Sequence, residues 1–134
     1  MAVLVDTGAV ELLRRGNQTA GTITNRHFPP ILCVHVAGEF LYGQEKAGKP
    51  TASLRDSEEF LGTFAVLEPS MDTARIYSEL RADLHRRGIT ISDPDCWIAA
   101  HALEDNLLLL TTDRDFSRIP EVRQCYISPD EKSH

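Results

Sequence analysis

The stretch Ile31-Leu32-Cys33-Val34-His35-Val36 decides the fold class. It is short, β-branched and apolar on both faces, the composition of a strand covered on either side by helices. Pro29 and Pro30 stop whatever precedes it. Working outward, Ala2 to Val5 is a second short apolar run, ending at Asp6, and Leu107 to Thr111 is a third. Ala65 to Leu67 and Gln124 to Ser128 read as two further strands, so the sequence predicts five.

Helix-length segments separate these runs. Gly8 to Arg15 places Val10, Leu12 and Leu13 inward, whereas Asn17 to Asn25 is polar and reads as either a loop or a weak helix. Ala37 to Ala47 is a predicted helix that Gly48 and Pro50 end. Thr51 to Phe64 carries Leu54, Ser57, Leu61 and Phe64 on one stripe, with Phe60 alongside. Ser70 caps a long helix in which Tyr77, Leu80 and Leu84 face inward, closed by Arg86, Arg87 and Gly88. Ser92-Asp93-Pro94 opens another through Trp97, Ile98, Ala99, Ala102 and Leu103, and Asp115 to Ile119 is a helical turn. Alternation of this kind means βαβ crossovers: an α/β three-layer sandwich around a mostly parallel central sheet.

The 134 residues fit one domain, 1–134, and 42% hydrophobic content suffices for a core without disulfides or structural metal. No apolar run approaches the roughly 20 residues that span a bilayer. The first run holds Asp6, lacks a basic flank and has no small-residue cleavage site, so a cytoplasmic protein is expected. Cys33, Cys96 and Cys125 show no CxxC spacing and read as reduced thiols, with no zinc motif. Twenty acids against fourteen bases give a net charge of −6, which argues against non-specific duplex binding. Eleven of those bases are arginine, whose fork suits phosphate and carboxylate partners.

In such sheets ligands bind beyond the carboxyl ends of the strands. There the sequence sets acids: Asp6 after the first strand, Glu39 in the first turn of the helix after the second, Asp113 and Asp115 after the fourth. Asp93 and Asp95 open the preceding helix. Taken singly, Glu39, Asp93 and Asp95 are explained by the helix dipole and Asp115 by capping its own turn. Together they need a cation, because clustered carboxylates raise one another's pKa. An oxygen-only set suits Mg²⁺ or Mn²⁺, and phosphodiester hydrolysis is what such sites commonly serve.

The order of the pieces resembles the PIN-domain ribonucleases, and among them the VapC-type toxins of bacterial toxin–antitoxin pairs. The resemblance spans nearly the whole chain. It rests on Val3-Leu4-Val5-Asp6-Thr7, on Gly38-Glu39-Phe40-Leu41-Tyr42-Gly43, on Asp95-Cys96-Trp97-Ile98-Ala99-Ala100 with Ala102, and on Leu110-Thr111-Thr112-Asp113-Arg114-Asp115-Phe116 with Ile119-Pro120. It implies a five-stranded parallel sheet, metal-binding and catalytic acids at Asp6, Glu39, Asp95 and Asp113, Asp115 close by, and lining hydroxyls at Thr7 and Thr111. It also implies a homodimer held silent by a small antitoxin. RNA is then the substrate, contacted by arginines around the cleft such as Arg14, Arg15 and Arg114. Two departures stand out: Gly8 where Asn or Ser is common, and His35-Val36-Ala37-Gly38 where the family often has a Ser at the strand end and a Thr at the helix start. His35 reads as a packed strand residue or a substrate contact, and Trp97 and Tyr42 as core or dimer contacts in preference to base-stacking platforms. Leu41, Tyr42 and Phe60 are expected to offer apolar contact to a basic amphipathic peptide laid across the acids. Two other readings stay open: a PIN-type module that binds RNA or protein without cutting, and a phosphatase or phosphate-accepting receiver with the first-strand aspartate as nucleophile. The latter usually adds a strand-end Lys, absent here.

Overall fold

Consecutive residues of a strand point to opposite faces of a sheet. Val3, Leu4 and Val5 are each 0% exposed, so the sheet is covered on both sides at its centre. The computed structural model describes residues 2–130. Its elements in chain order are β1 (Val3–Val5), α1 (Thr7–Arg14), α2 (Gln18–Arg26), β2 (Pro30–Cys33), α3 (Val34–Lys46), α4 (Thr51–Leu61), β3 (Ala65–Leu67), α5 (Met71–Arg86), α6 (Asp93–Glu104), β4 (Leu108–Thr111), a 3₁₀ turn (Arg114–Arg118) and β5 (Gln124–Tyr126).

The five strands are all parallel in the order β3-β2-β1-β4-β5. From β1 the chain first builds outward through β2 and β3, then returns to β1's other side with β4 and β5. The strand order therefore switches between β1 and β4, and the crevice past their carboxyl ends is where such sheets bind ligands. Val5 pairs with Leu110 there, which puts Asp6 and the Thr111–Asp113 segment at that crevice. One continuous apolar cluster fills the interior, with α5 packed on α6, α1 on α2 and α3, and α3 also on α6. Among the described residues no helix is long and apolar enough to cross a membrane.

The predicted strand Ile31–Val36 is shorter than the apolar run. β2 ends at Cys33 and α3 already starts at Val34, so His35 lies in a helical first turn. β3 sets that limit: its last pair is Leu67 with Cys33, and beyond it no neighbouring strand exists to satisfy the backbone. The small helix penalty of valine loses to that requirement. In the polar stretch 17–25, where loop and weak helix stood open, α2 forms. The Asn17 side chain accepts from the Ala20 amide at 2.9 Å, and the Thr24 hydroxyl folds back onto the Ala20 carbonyl at 3.1 Å. α4 stops at Leu61 instead of Phe64, and β5 at Tyr126 instead of Ser128.

Candidate active site

Asp6 closes β1 and caps α1 with the same carboxylate. Its Oδ1 accepts from the Ala9 amide at 2.8 Å, and its Oδ2 accepts from the Thr111 hydroxyl and from the Thr112 amide at 3.3 Å. A carboxylate has about four acceptor sites. Three are filled by the protein's own donors, so the group is fixed in place with capacity left for one more partner. Burial pushes the Asp6 carboxyl up, the three donors pull it back, and the charge of Asp113 adds a smaller upward push.

Thr111 carries the link from Asp6 to the next acid. While its hydroxyl donates to Asp6, the same oxygen accepts from the Asp113 amide at 2.9 Å. Asp113 then caps the 3₁₀ turn, its Oδ1 accepting from the Asp115 amide at 2.8 Å. From the other side α6 delivers Asp95 in its first turn, set by the Ser92 cap and by Pro94 at the helix start. Carboxylate oxygens of Asp95, Asp113 and Asp115 all lie within 4.8 Å of one another. Asp95 is pushed up to about 7, first by burial, then by a hydrogen bond shared with the Asp113 carboxyl and by the charges of Asp113 and Asp6.

Glu39 stands on α3 and accepts the Thr7 hydroxyl at 2.9 Å, so it reaches the cluster through the residue after Asp6 and lies outside the tight carboxylate trio. Asp115 both belongs to the trio and accepts from Arg118 at 2.8 Å. Asp93 is diverted: it receives the Tyr77 hydroxyl and pairs with Arg81 at 3.4 Å. Among the described residues no Lys or Arg is ion-paired with Asp6, Asp95 or Asp113. Unneutralised oxygens, no His or Cys in the trio, and a carboxyl that keeps its proton near neutrality fit a hard cation such as Mg²⁺ or Mn²⁺, which would take that proton's place.

A groove of ≈ 410 Å³ runs beside this cluster, lined by Thr7, Gly8, Glu11, Arg14, Glu39 and Lys49 among others. Arg14 is there as expected, paired with Glu11 on its own helix. Arg114 lies over the Tyr126 ring at 4.7 Å. The sequence reading missed Lys49, hidden in the turn after α3, as well as Tyr126 and Thr112. Thr112 also accounts for the departure at position 8. A Cβ on Gly8 would fall 1.8 Å from the Thr112 Oγ1, so the two side chains compete for one space. His35 and Trp97 are stacked, not groove-lining: Trp97 lies between Tyr77 (4.0 Å, 9°) and His35 (5.4 Å, 11°). Of the apolar residues expected to be displayed, Tyr42 is 65% exposed, whereas Leu41 and Phe60 are half-buried against the core.

Comparison with known proteins adds an independent line. The PIN domain family model matches residues 3–122. The chain is 31% identical over 115 residues to Ribonuclease VapC2 of Haemophilus influenzae, covering 85% of this chain and 82% of that one. It is 35% identical over 86 residues to the tRNA(fMet)-specific endonuclease VapC of Salmonella typhimurium, 63% of this chain and 65% of that one. Among solved structures, DNA-bound VapBC from Salmonella typhimurium superposes with a TM-score of 0.84 at 26% identity, covering 94% and 98% of the two chains. With its acids gathered where β1 and β4 end, and with these matches along most of its length, the chain belongs to the PIN domain family, among the VapC ribonucleases.

Proposed function

We propose that the chain acts as a single nuclease domain, a metal-dependent endoribonuclease that is the toxin of a type II toxin–antitoxin pair. Asp6, Glu39, Asp95 and Asp113 are its catalytic and metal-holding acids, with Asp115 at the rim. The observation that carries this reading is the trio of oxygens around Asp95, which among the described residues is ion-paired only through Arg118 on Asp115. When bound, Mg²⁺ or Mn²⁺ supplies Lewis-acid stabilisation of phosphate charge and an activated water. The chain does the rest. Asp6 holds a fixed position through its three donors, and Thr7 orients Glu39. Asp95 gives up its proton as the site fills. Thr7 lines the site, whereas Thr111, expected to line it too, is instead buried and holds Asp6 and Asp113 from beneath. Arg14 and Arg114 meet substrate phosphates with Lys49 beside them. Water adds to phosphorus as the P–O3′ bond breaks, leaving a 5′-phosphate and a 3′-hydroxyl.

The protein works in the cytoplasm as a homodimer, silenced by a small antitoxin with a basic segment over the acids. The support is the VapC relationship together with the charge of the cleft. The test is cleavage of a folded stem-loop RNA, a tRNA among the substrates, by the purified chain with Mg²⁺ or Mn²⁺. Internal cuts with 5′-phosphate ends, abolished by EDTA and by Asp95→Asn, are expected. Cleavage that resists EDTA or survives in that variant overturns the mechanism.

A further inference from the structure

A second group of donors lies apart from the acids. Cys33 ends β2, His35 sits in the first turn of α3, and His101 lies on α6, yet one ligating atom of each falls within 4.8 Å of the others. Cys33 is 0% and His101 1% exposed. Two of the nitrogens, His35 Nδ1 and His101 Nε2, are buried without any hydrogen-bond partner. Buried polar atoms are nearly always satisfied, and an orphan pair meeting a thiol needs a reason.

We propose that Cys33, His35 and His101 form a second metal site that takes one Zn²⁺. One sulfur and two imidazole nitrogens are the donor class that a borderline-soft ion selects, in contrast to the carboxylates that hold a hard one. Three protein ligands leave a fourth tetrahedral position for water. Neighbouring structure already orients the donors. Trp97 stacks on the His35 ring and stands four residues before His101, so α6 presents both toward α3 from one face. The backbone amides of His35 and Val36 point at the Cys33 sulfur and favour its thiolate, against burial, which pushes the thiol up. Zinc binding displaces that proton.

Cys-x-His followed by a His on a distant helix matches no zinc spacing, so only the fold brings these three donors together. Position in the fold supplies the consequence. α3 also carries Glu39 and α6 carries Asp95, so an ion held by Cys33, His35 and His101 ties together the two helices that bring half of the acids. The site thereby sets the spacing of the cleft without touching substrate.

Co²⁺ is the probe, added to the full-length, metal-stripped chain in the presence of excess Mg²⁺ to occupy the acids. A thiolate-to-cobalt charge-transfer band, saturating at one equivalent and bleached by Zn²⁺, is expected. It should be lost in Cys33→Ser and in His101→Gln, and retained in Cys96→Ser, Cys125→Ser and Asp95→Asn. No such band in the folded wild-type chain, or a band that persists in Cys33→Ser or His101→Gln, overturns the proposal. Zinc-edge X-ray absorption on the wild-type chain reads the same question with no variant to fold: sulfur and imidazole around zinc support it, and a shell of oxygens alone rejects it.

Discussion

The Thr111 hydroxyl donates to the Asp6 carboxylate across 105 positions of the chain, and the same oxygen accepts the Asp113 amide. One buried side chain thus fixes the orientation of one acid and the backbone of another. Thr111→Val keeps the shape and removes both bonds. Because a buried partner left unsatisfied costs about 1–3 kcal/mol, chemical denaturation should show a loss of that size. Metal affinity, read by Mg²⁺ titration of cleavage, should weaken by about 10–100-fold, as for other groups that orient ligands. Thr111→Ser retains the hydroxyl and should recover most of both.

Asp6→Asn should reduce RNA cleavage to background with the fold preserved. The amide oxygen can still accept the Ala9 amide that caps α1, while the negative charge is gone. Circular dichroism matching wild type beside an inactive variant is the expected pair of results. An active variant removes Asp6 from the reaction.

Asp95 makes the metal-free protein pH-sensitive in a stated direction. Its carboxyl is raised from 3.8 to about 7 in the fold, so between those values the folded chain binds a proton that the unfolded chain has released. Stability contributed by this group is therefore lost as pH rises from about 4 through about 7. Thermal unfolding in EDTA should show a falling midpoint over that window. Asp95→Asn, or saturating Mg²⁺ in the wild type, should flatten it, whereas an unchanged slope in the variant assigns the effect elsewhere.

Gly8 and Thr112 should behave as a coupled pair. Gly8→Ala drives a methyl into the Thr112 hydroxyl and should cost about 1–3 kcal/mol, the usual range for overpacking. Thr112→Ala removes the obstructing atom, so the double variant should be more stable than Gly8→Ala alone. A double-mutant cycle measures it, and additive losses would contradict the shared space.

The acidic cleft also predicts how inhibition works. A basic antitoxin segment with an arginine set among Asp95, Asp113 and Asp115 would satisfy the same oxygens proposed to hold metal. Raising Mg²⁺ should weaken inhibition in proportion, and light scattering on the free toxin should report a dimer. Inhibition indifferent to Mg²⁺ places the contact elsewhere.

Helix caps were legible in the sequence because they are local. β3 was read with its observed bounds, Ser70 and Ser92 cap the helices assigned to them, and Asp6 and Asp113 follow their strands as expected. Glu39, expected in a first turn, falls in the second turn of α3 because that helix already starts at Val34. What could not be read depends on partners distant in sequence. β2 ends where its neighbour β3 ends, which no property of Val34 or His35 reveals. Asp93 and Asp95 look alike in sequence, yet Tyr77 and Arg81 on α5 take one and Asp113 the other. Gly8 reads as a missing polar group until Thr112 is seen filling the place.

The strand order carries a consequence for biosynthesis. β1 emerges early from the ribosome, but the neighbour that completes its crevice is β4, and the Thr111 contact to Asp6 waits for 105 further residues. Glu39 is likewise made long before Asp95 and Asp113. A nascent chain therefore carries half of its acids with no means of assembling them, because parallel pairing across such a separation closes late. Assembly is therefore a property of the later chain: until β4 is made and docked beside β1, Asp6 and Glu39 stand without Asp95 and Asp113.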